Sequence, residues 1–329
     1  MITRKQWLKA TIGSCLGACL PVLARTQNTH SFPSRSLKMV VPYAAGGTVD
    51  LIGRMLANRF GPLLGQTVIV ENRAGAGTTI GADAVARSEP DGHTLFLGTN
   101  SAFTISPQLM PKLGYDAIQG FAAIGMVTEL PNLLLVKPDS PYKSFDDLVQ
   151  AARKQPGKLS YASYGAGSTA HLSGEAIKSK LGIDLIQVPY KSGAQTVQAV
   201  LSGEVSVAYD TVLGSVARVK SGQVRALAVT SAKRYFSLPD VPAMEDLGLA
   251  GSEVVAWVGC FVPATTPLPA QKALTNALRK TMADPQTQKE FLNLGVQAQF
   301  MEPDATMALV RREYVQFGKL IEKAKIRME

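Results

Sequence analysis

Two hexapeptides carry the chemistry most open to reading. Tyr43-Ala44-Ala45-Gly46-Gly47-Thr48 and Tyr164-Gly165-Ala166-Gly167-Ser168-Thr169 each follow a short apolar run and open an amphipathic one. At a helix start the free backbone N–H groups point outward and the helix dipole adds partial positive charge, so such a turn suits an anion. Glycine lets a ligand come close to the backbone, and Ser168 and Thr169 add hydroxyl donors. Taken singly, each turn is equally a capped helix start that holds nothing. The pair, in equivalent positions of two α/β sets, points to a cleft that closes on a carboxylate. Asp210 ends an apolar run, Val205–Tyr209, at the same end of its strand. Two roles stay open for it: accepting a hydrogen bond from a ligand or a bound water, or capping the next turn. His171 falls in the first turn of the helix behind Ser168 and reads as a packed, hydrogen-bonded imidazole.

Other chemistries find little support. Neither a GxxxxGK[ST] loop nor a GxSxG elbow occurs. Ala74-Gly75-Ala76-Gly77-Thr78-Thr79-Ile80-Gly81 resembles a dinucleotide loop, but its spacing is GxGxxxG and no acid ends another strand about 20 residues on. Three histidines lie in separate segments and three cysteines are too few for a zinc cluster or a disulfide scaffold. No acid, base and nucleophile come together, so the chain is not read as an enzyme and no cofactor is expected. The excess of 34 Lys+Arg over 25 Asp+Glu is dispersed, and aromatic residues make up only 7%, which argues against nucleic acid as a partner.

The elements that must hold these turns repeat one pattern along 329 residues: a short apolar strand, a Gly/Ser/Thr/Asn turn and an amphipathic helix. That alternation predicts α/β layers with largely parallel sheets. The first set has strands at 39–41, 67–70 and 94–97, with a helix over 49–60 that Gly61-Pro62 should end. The second set has strands at 133–136, 159–162, 185–188, 205–209 and 225–229. Ser144 caps a helix there, and further helices run over 169–181 and up to Gly203. An extended segment at 253–262 precedes three C-terminal helices. Ahead of all this, Arg4 and Lys5 precede the uncharged stretch Ala10–Leu23, too short to span a bilayer, with small residues near Ala24. Residues 1–24 are therefore expected to be a signal peptide, and their removal lowers the net charge from +9 to +6. A second reading is acylation at Cys19.

VVPYAAGGTVDLIGRMLA, IVENRAGAGTTIGADAVARSEPDGHTLFLGT and LSYASYGAGSTAHLSGEAIKSKLGIDLIQVPYKSGAQTVQAVLSGEVSVAYD, in this order, resemble the Bug family. These are extracytoplasmic receptors of tripartite tricarboxylate transporters. The resemblance implies a type II periplasmic-binding-protein fold, with two α/β lobes around a central cleft and two chain crossings. One lobe would be discontinuous, 32–133 plus 258–329, and the other 134–257. It implies a small organic carboxylate as ligand, membrane transporter subunits as partners, a periplasmic location and a monomer. The family's ligand positions fall here on Tyr43, Ala45, Gly46, Gly47 and Thr48, on Asn100 and Ser101, on Ser163, Gly167, Ser168 and Thr169, and on Asp210. Tyr43 stands where Phe or Trp is usual, and Ser192 interrupts a Tyr-Lys-Gly string, both of which bear on ligand choice. The alternatives are an exported hydrolase with Ser168 or Ser101 as nucleophile, and a ligand-sensing adaptor without transport.

Overall fold

Alternation of side chains builds the first strand. In β1 (Leu37–Val41), Leu37, Met39 and Val41 enter one apolar cluster and Val40 enters another, so both faces of the strand are covered. That is the pattern of a sheet with helices on both sides. The computed structural model describes residues 32–110, 112–165 and 167–327. The leader read at residues 1–24 and Cys19 lie outside the described residues.

Helix α1 (Thr48–Leu64) lays Ile52, Leu56 and Phe60 onto β1, each fully buried. At about 1.5–3 kcal/mol per buried side chain this stripe fixes the helix to the sheet. The expected stop at Gly61-Pro62 is corrected: the helix runs on to Leu64 and ends at Gly65, which has φ 69° and donates to the Gly61 carbonyl. Pro62 is tolerated because it is exposed and the carbonyl four residues back belongs to Asn58, which is exposed to water. β2 (Val68–Asn72) follows, then a 3-10 turn at Ala76–Thr78 and α2 (Thr79–Ala86). β3 (Thr94–Thr99) leads into a π-helical turn, Ser101–Ile105, and the short α3 (Ser106–Leu109).

β4 (Phe121–Val136) is a single 16-residue strand where only 133–136 was expected. After it come α4 (Phe145–Lys154), started by a Ser144–Asp147 capping box, β5 (Ser160–Ser163) and α5 (Thr169–Leu181). β6 (Ile186–Pro189), α6 (Gly193–Ser202) and β7 (Val207–Thr211) complete this wing, together with α7 (Val212–Lys220), which the sequence reading lacks, and β8 (Arg225–Val229). β9 (Val255–Pro263) returns to the first wing, where α8 (Leu268–Ala283), α9 (Pro285–Asn293) and α10 (Pro303–Lys323) close the chain.

The strand order is β2-β1-β3-β9-β4-β7-β5-β6, with β8 also on β4. Within each wing β1 pairs in parallel with β2 and β3, and β5 with β6 and β7. The largely parallel sheet is corrected to a mixed one. β4 and β9 run antiparallel to each other along nine pairs, from Phe121↔Pro263 to Pro131↔Val255, because one strand leaves the first wing and the other returns to it. Beyond Pro131 the same β4 turns its edges to β7 and β8. An aromatic cluster of Phe96, Phe103, Phe121, Trp257 and Phe261 packs where β3 meets this pair, with Phe103 and Phe261 ring centroids 4.3 Å apart.

Candidate functional site

Parallel strands of an α/β sheet deliver their following turns to one edge, and ligands bind there. The β1–α1 turn, the end of β3 and the β5–α5 turn all meet around one cavity of about 540 Å³. Tyr43, Gly47 and Thr48 line it from the first turn, Asn100 and Ser101 from the second, and Gly167, Ser168 and Thr169 from the third. The crossing strands supply Leu130, Ala256 and Trp257, and Ile105 and Leu109 come from the π-helical turn and α3.

Four of the residues singled out in the sequence do not line the cavity. Ala45 is exposed, and Gly46 turns its N–H to the Asp50 carboxylate at 2.8 Å. Ser163 is fully buried, its hydroxyl accepting from Gln187 Nε2 at 2.8 Å. Asp210 lies beneath the wall, at the start of the unforeseen α7. Its carboxylate accepts from Ser215 Oγ at 2.5 Å and packs so tightly on Gly193 and Gly214 that neither could carry a Cβ. Burial raises its pKa, against the pull of the Ser215 hydrogen bond. Its neighbour Thr211, which caps α7 by accepting from Gly214 N–H at 3.2 Å, is the residue that reaches the cavity.

The structure adds Ala74–Thr78 to the wall, which Thr99, at the end of β3, and Tyr164 of the second hexapeptide also line. Gly75, Ala76, Gly77 and Thr78 all have positive φ, at 129°, 44°, 60° and 79°. Left-handed backbone costs roughly 1–2 kcal/mol at each non-glycine residue, so Ala76 and Thr78 are held there by the surroundings: Ser106 Oγ donates to the Gly77 carbonyl at 2.7 Å. The glycines of 74–81 are the available signal for this turn, and dinucleotide spacing is the wrong test for it. Gly167, at φ 71°, abuts Leu109 Cδ1 with no room for a Cβ, so the β5–α5 turn rests against α3.

The lining holds no charged side chain among the described residues. The hydroxyls are neutral donors and acceptors. Tyr43 OH lies 2.9 Å from Thr99 Oγ1, and burial raises its pKa against the hydrogen bonds from Thr99 and Ser101. Tyr164 OH donates to Asn132 Oδ1 at 2.7 Å and lies 3.2 Å from Thr169 Oγ1. Ser168 Oγ accepts from His171 N–H at 3.2 Å and donates to the Gly165 carbonyl at 2.8 Å, which makes it the N-cap of α5. Burial lowers the His171 pKa, and its Nδ1 accepts from Gly167 N–H at 3.3 Å. The imidazole is thus engaged with the backbone rather than with the Ser168 hydroxyl. Trp257 Nε1–H donates at 2.8 Å to Glu313 on α10, a carboxyl that burial pushes up to about 8.

Asp50 sets the shape of the first turn. It is buried in the first turn of α1; its Oδ2 accepts from Gly46 N–H and Arg54 Nε, and its Oδ1 from Asn72 Nδ2 at 2.8 Å. Asn72 Nδ2 also reaches the Tyr43 carbonyl at 3.1 Å. Burial alone would raise the Asp50 pKa, but these donors together hold it below the usual carboxylate range. Asp50→Ala is expected to cost about 2–3 kcal/mol, with Arg54 discounted as half-exposed, and to weaken ligand binding through a loosened turn. Its contribution is present above the unfolded pKa near 3.9 and is lost as pH falls through the lower folded value. Urea melts of both proteins at pH 7 and pH 3 check this; equal midpoints at pH 7 would remove the network's role.

A family model described as "Tripartite tricarboxylate transporter family receptor" matches residues 52–326. A UPF0065 protein from Pseudomonas sp. (strain P51) is 34% identical over 298 residues, 90% of this chain and 88% of the relative. The solved structure of periplasmic binding protein BugD is 36% identical, with TM-score 0.75, over 91% of this chain and 100% of BugD. A Rhodopseudomonas palustris protein solved with adipate, Rpa4515 of R. palustris, is 30% identical, with TM-score 0.78, over 91% of this chain and 100% of that one.

Proposed function

The chain belongs to the tripartite tricarboxylate transporter receptor family, and on that premise we propose that it is an exported receptor that binds a small organic carboxylate between two lobes and delivers it to membrane transporter subunits. The observation that carries this reading is the cavity itself. The N-termini of α1 and α5 both face it, with the hydroxyls of Thr48, Thr99, Ser101 and Thr169 between them. Backbone amides at helix starts and neutral hydroxyls suit a carboxylate without a fixed counter-charge. Adipate in the R. palustris relative supports the same ligand class.

In this reading one lobe comprises residues 32–133 plus 258–329 and the other 134–257, and they close by bending at β4 and β9. The receptor acts as a monomer in the periplasm. Residues 1–24 are removed on export, so the mature chain begins at Arg25; a measured mass that retains Met1 on the exported protein would refute the cleavage, and an acylated start at Cys19 would replace it. No helix among the described residues is long and apolar enough to cross a membrane.

Thermal-shift screening against carboxylates tests the binding role. A ligand at about 100 times its Kd should stabilise the protein by about 2.7 kcal/mol. A flat response to every carboxylate, with turnover of an ester, would favour the exported hydrolase instead. Binding without any transport defect in a deletion strain would favour a sensing adaptor.

A further inference from the structure

The polar groups of the cavity are not equally free. Ser106 and Ser168 spend their O–H on the carbonyls of Gly77 and Gly165, and Asn100 gives one of its two amide N–H groups to the Val255 carbonyl at 2.9 Å. Tyr164 gives its proton to Asn132. Trp257 sends its N–H to Glu313, which is not part of the wall, so its indole offers the cavity carbon alone. The donors left over are Thr48, one proton of the Tyr43–Thr99 pair, Ser101, the second amide N–H of Asn100, and Thr211, whose Oγ1 accepts from Gly214 N–H; Thr169 gives its proton to Tyr164. The crossing strands contribute Leu130, Ala256 and Trp257 without a spare donor, and Ile105 of the π-helical turn and Leu109 of α3 add further carbon.

The charges are uneven in the same way. Among the described residues no Lys or Arg lines the cavity. The N-terminus of α1 already holds the Asp50 carboxylate, which takes Gly46 N–H and pairs with Arg54, whereas the first turn of α5 contains no acid. A carboxylate bound near α5 meets a helix start with no acid in its first turn, where Ser168 holds the His171 amide. A second carboxylate on the same ligand would be left to neutral hydroxyls and the apolar wall, with no Lys or Arg among the described lining residues, and an ionised group so weakly partnered in a desolvated site is disfavoured.

We propose that the preferred ligand is a monocarboxylate with an apolar or aromatic body, its carboxylate held by the strand–helix turns and its body against Trp257, Leu130, Ile105 and Leu109, and that di- and tricarboxylates bind more weakly. The proposal rests on the receptor reading above and narrows it.

Calorimetry on the mature protein with matched acids tests it: phenylacetate and hexanoate against adipate, succinate and citrate, with phenylacetamide as the uncharged control. The expected result is that phenylacetate or hexanoate binds roughly 10–100-fold more tightly than any di- or tricarboxylate, and that phenylacetamide loses at least about tenfold, as removal of a charged hydrogen-bonded group should. Ile105→Ser should weaken hexanoate more than succinate. Tighter binding of adipate, succinate or citrate would overturn the narrowing while leaving the receptor reading intact. No binding of any of the five acids would overturn both. Equal binding of phenylacetate and phenylacetamide would show that the carboxylate is not recognised and would also refute the proposal.

Discussion

Gly47→Leu should leave the protein folded and raise the dissociation constant for its carboxylate by about three decades, equivalent to about 4 kcal/mol. Gly47 has φ −80°, a value any residue adopts, and a Cβ built on it meets only the Ala44 carbonyl, at 3.5 Å. The substitution therefore introduces no backbone strain at its own position. Gly47 lines the cavity beside Thr48, at the N-cap of α1, so four added carbons occupy the space through which a ligand would reach the backbone amides. Calorimetry with one confirmed ligand, beside a thermal melt, separates the two consequences. An unchanged dissociation constant with an unchanged melt would place the ligand away from this turn.

Glu313→Gln should make the protein less sensitive to alkaline pH. Glu313 is 7% exposed and its carboxyl is pushed up to about 8, chiefly by burial, with Trp257 and Arg312 opposing and Glu129 reinforcing. In the unfolded chain a glutamate releases its proton near pH 4.3. Between those values the folded protein holds a proton that the unfolded chain lacks, so stability falls as pH rises from about 4.3 to about 8. The fall is on the order of 3–5 kcal/mol if this one group is followed alone. Glutamine keeps an oxygen for the Trp257 N–H and does not ionise. Urea melts of the two proteins at pH 5 and pH 8.5 should therefore converge at the lower pH and separate at the higher, with the variant more stable. Parallel profiles would show that Glu313 ionises in the fold as it does in water.

The elements with strong periodicity are legible in the sequence, and their turns with them. Val49, Ile52, Leu56 and Phe60 place α1, the Ser144–Asp147 pair starts α4, and Gly203 stops α6. What escapes has a physical reason in each case. The first eleven residues of β4 contain Gly125 and Pro131, which argue against a strand; the strand persists because Gly125, at φ 148°, sits at a break in register with β9. Helix α7 is nine residues long with Gly214 in its first turn, and without it Asp210 looks like the free end of a strand rather than a carboxyl sealed under a helix start. Of the cavity, the three strand-end turns are visible as glycine and hydroxyl clusters. The wall from Leu130, Ala256 and Trp257 is not, because it forms only where two strands more than a hundred residues apart lie side by side.

That wall also gives the protein an optical property. The chain has two tryptophans, Trp7 and Trp257, and the first falls within residues 1–24. A chain lacking those residues fluoresces, as far as indole is concerned, from the cavity wall alone. The ring is 1% exposed, its N–H is bound to an acid that titrates near pH 8, and one side of it faces the space a ligand would fill. Emission from Trp257 should then register both occupancy of the cavity and the ionisation of Glu313, so the unlabelled protein serves as its own binding sensor, provided that its pH is held fixed.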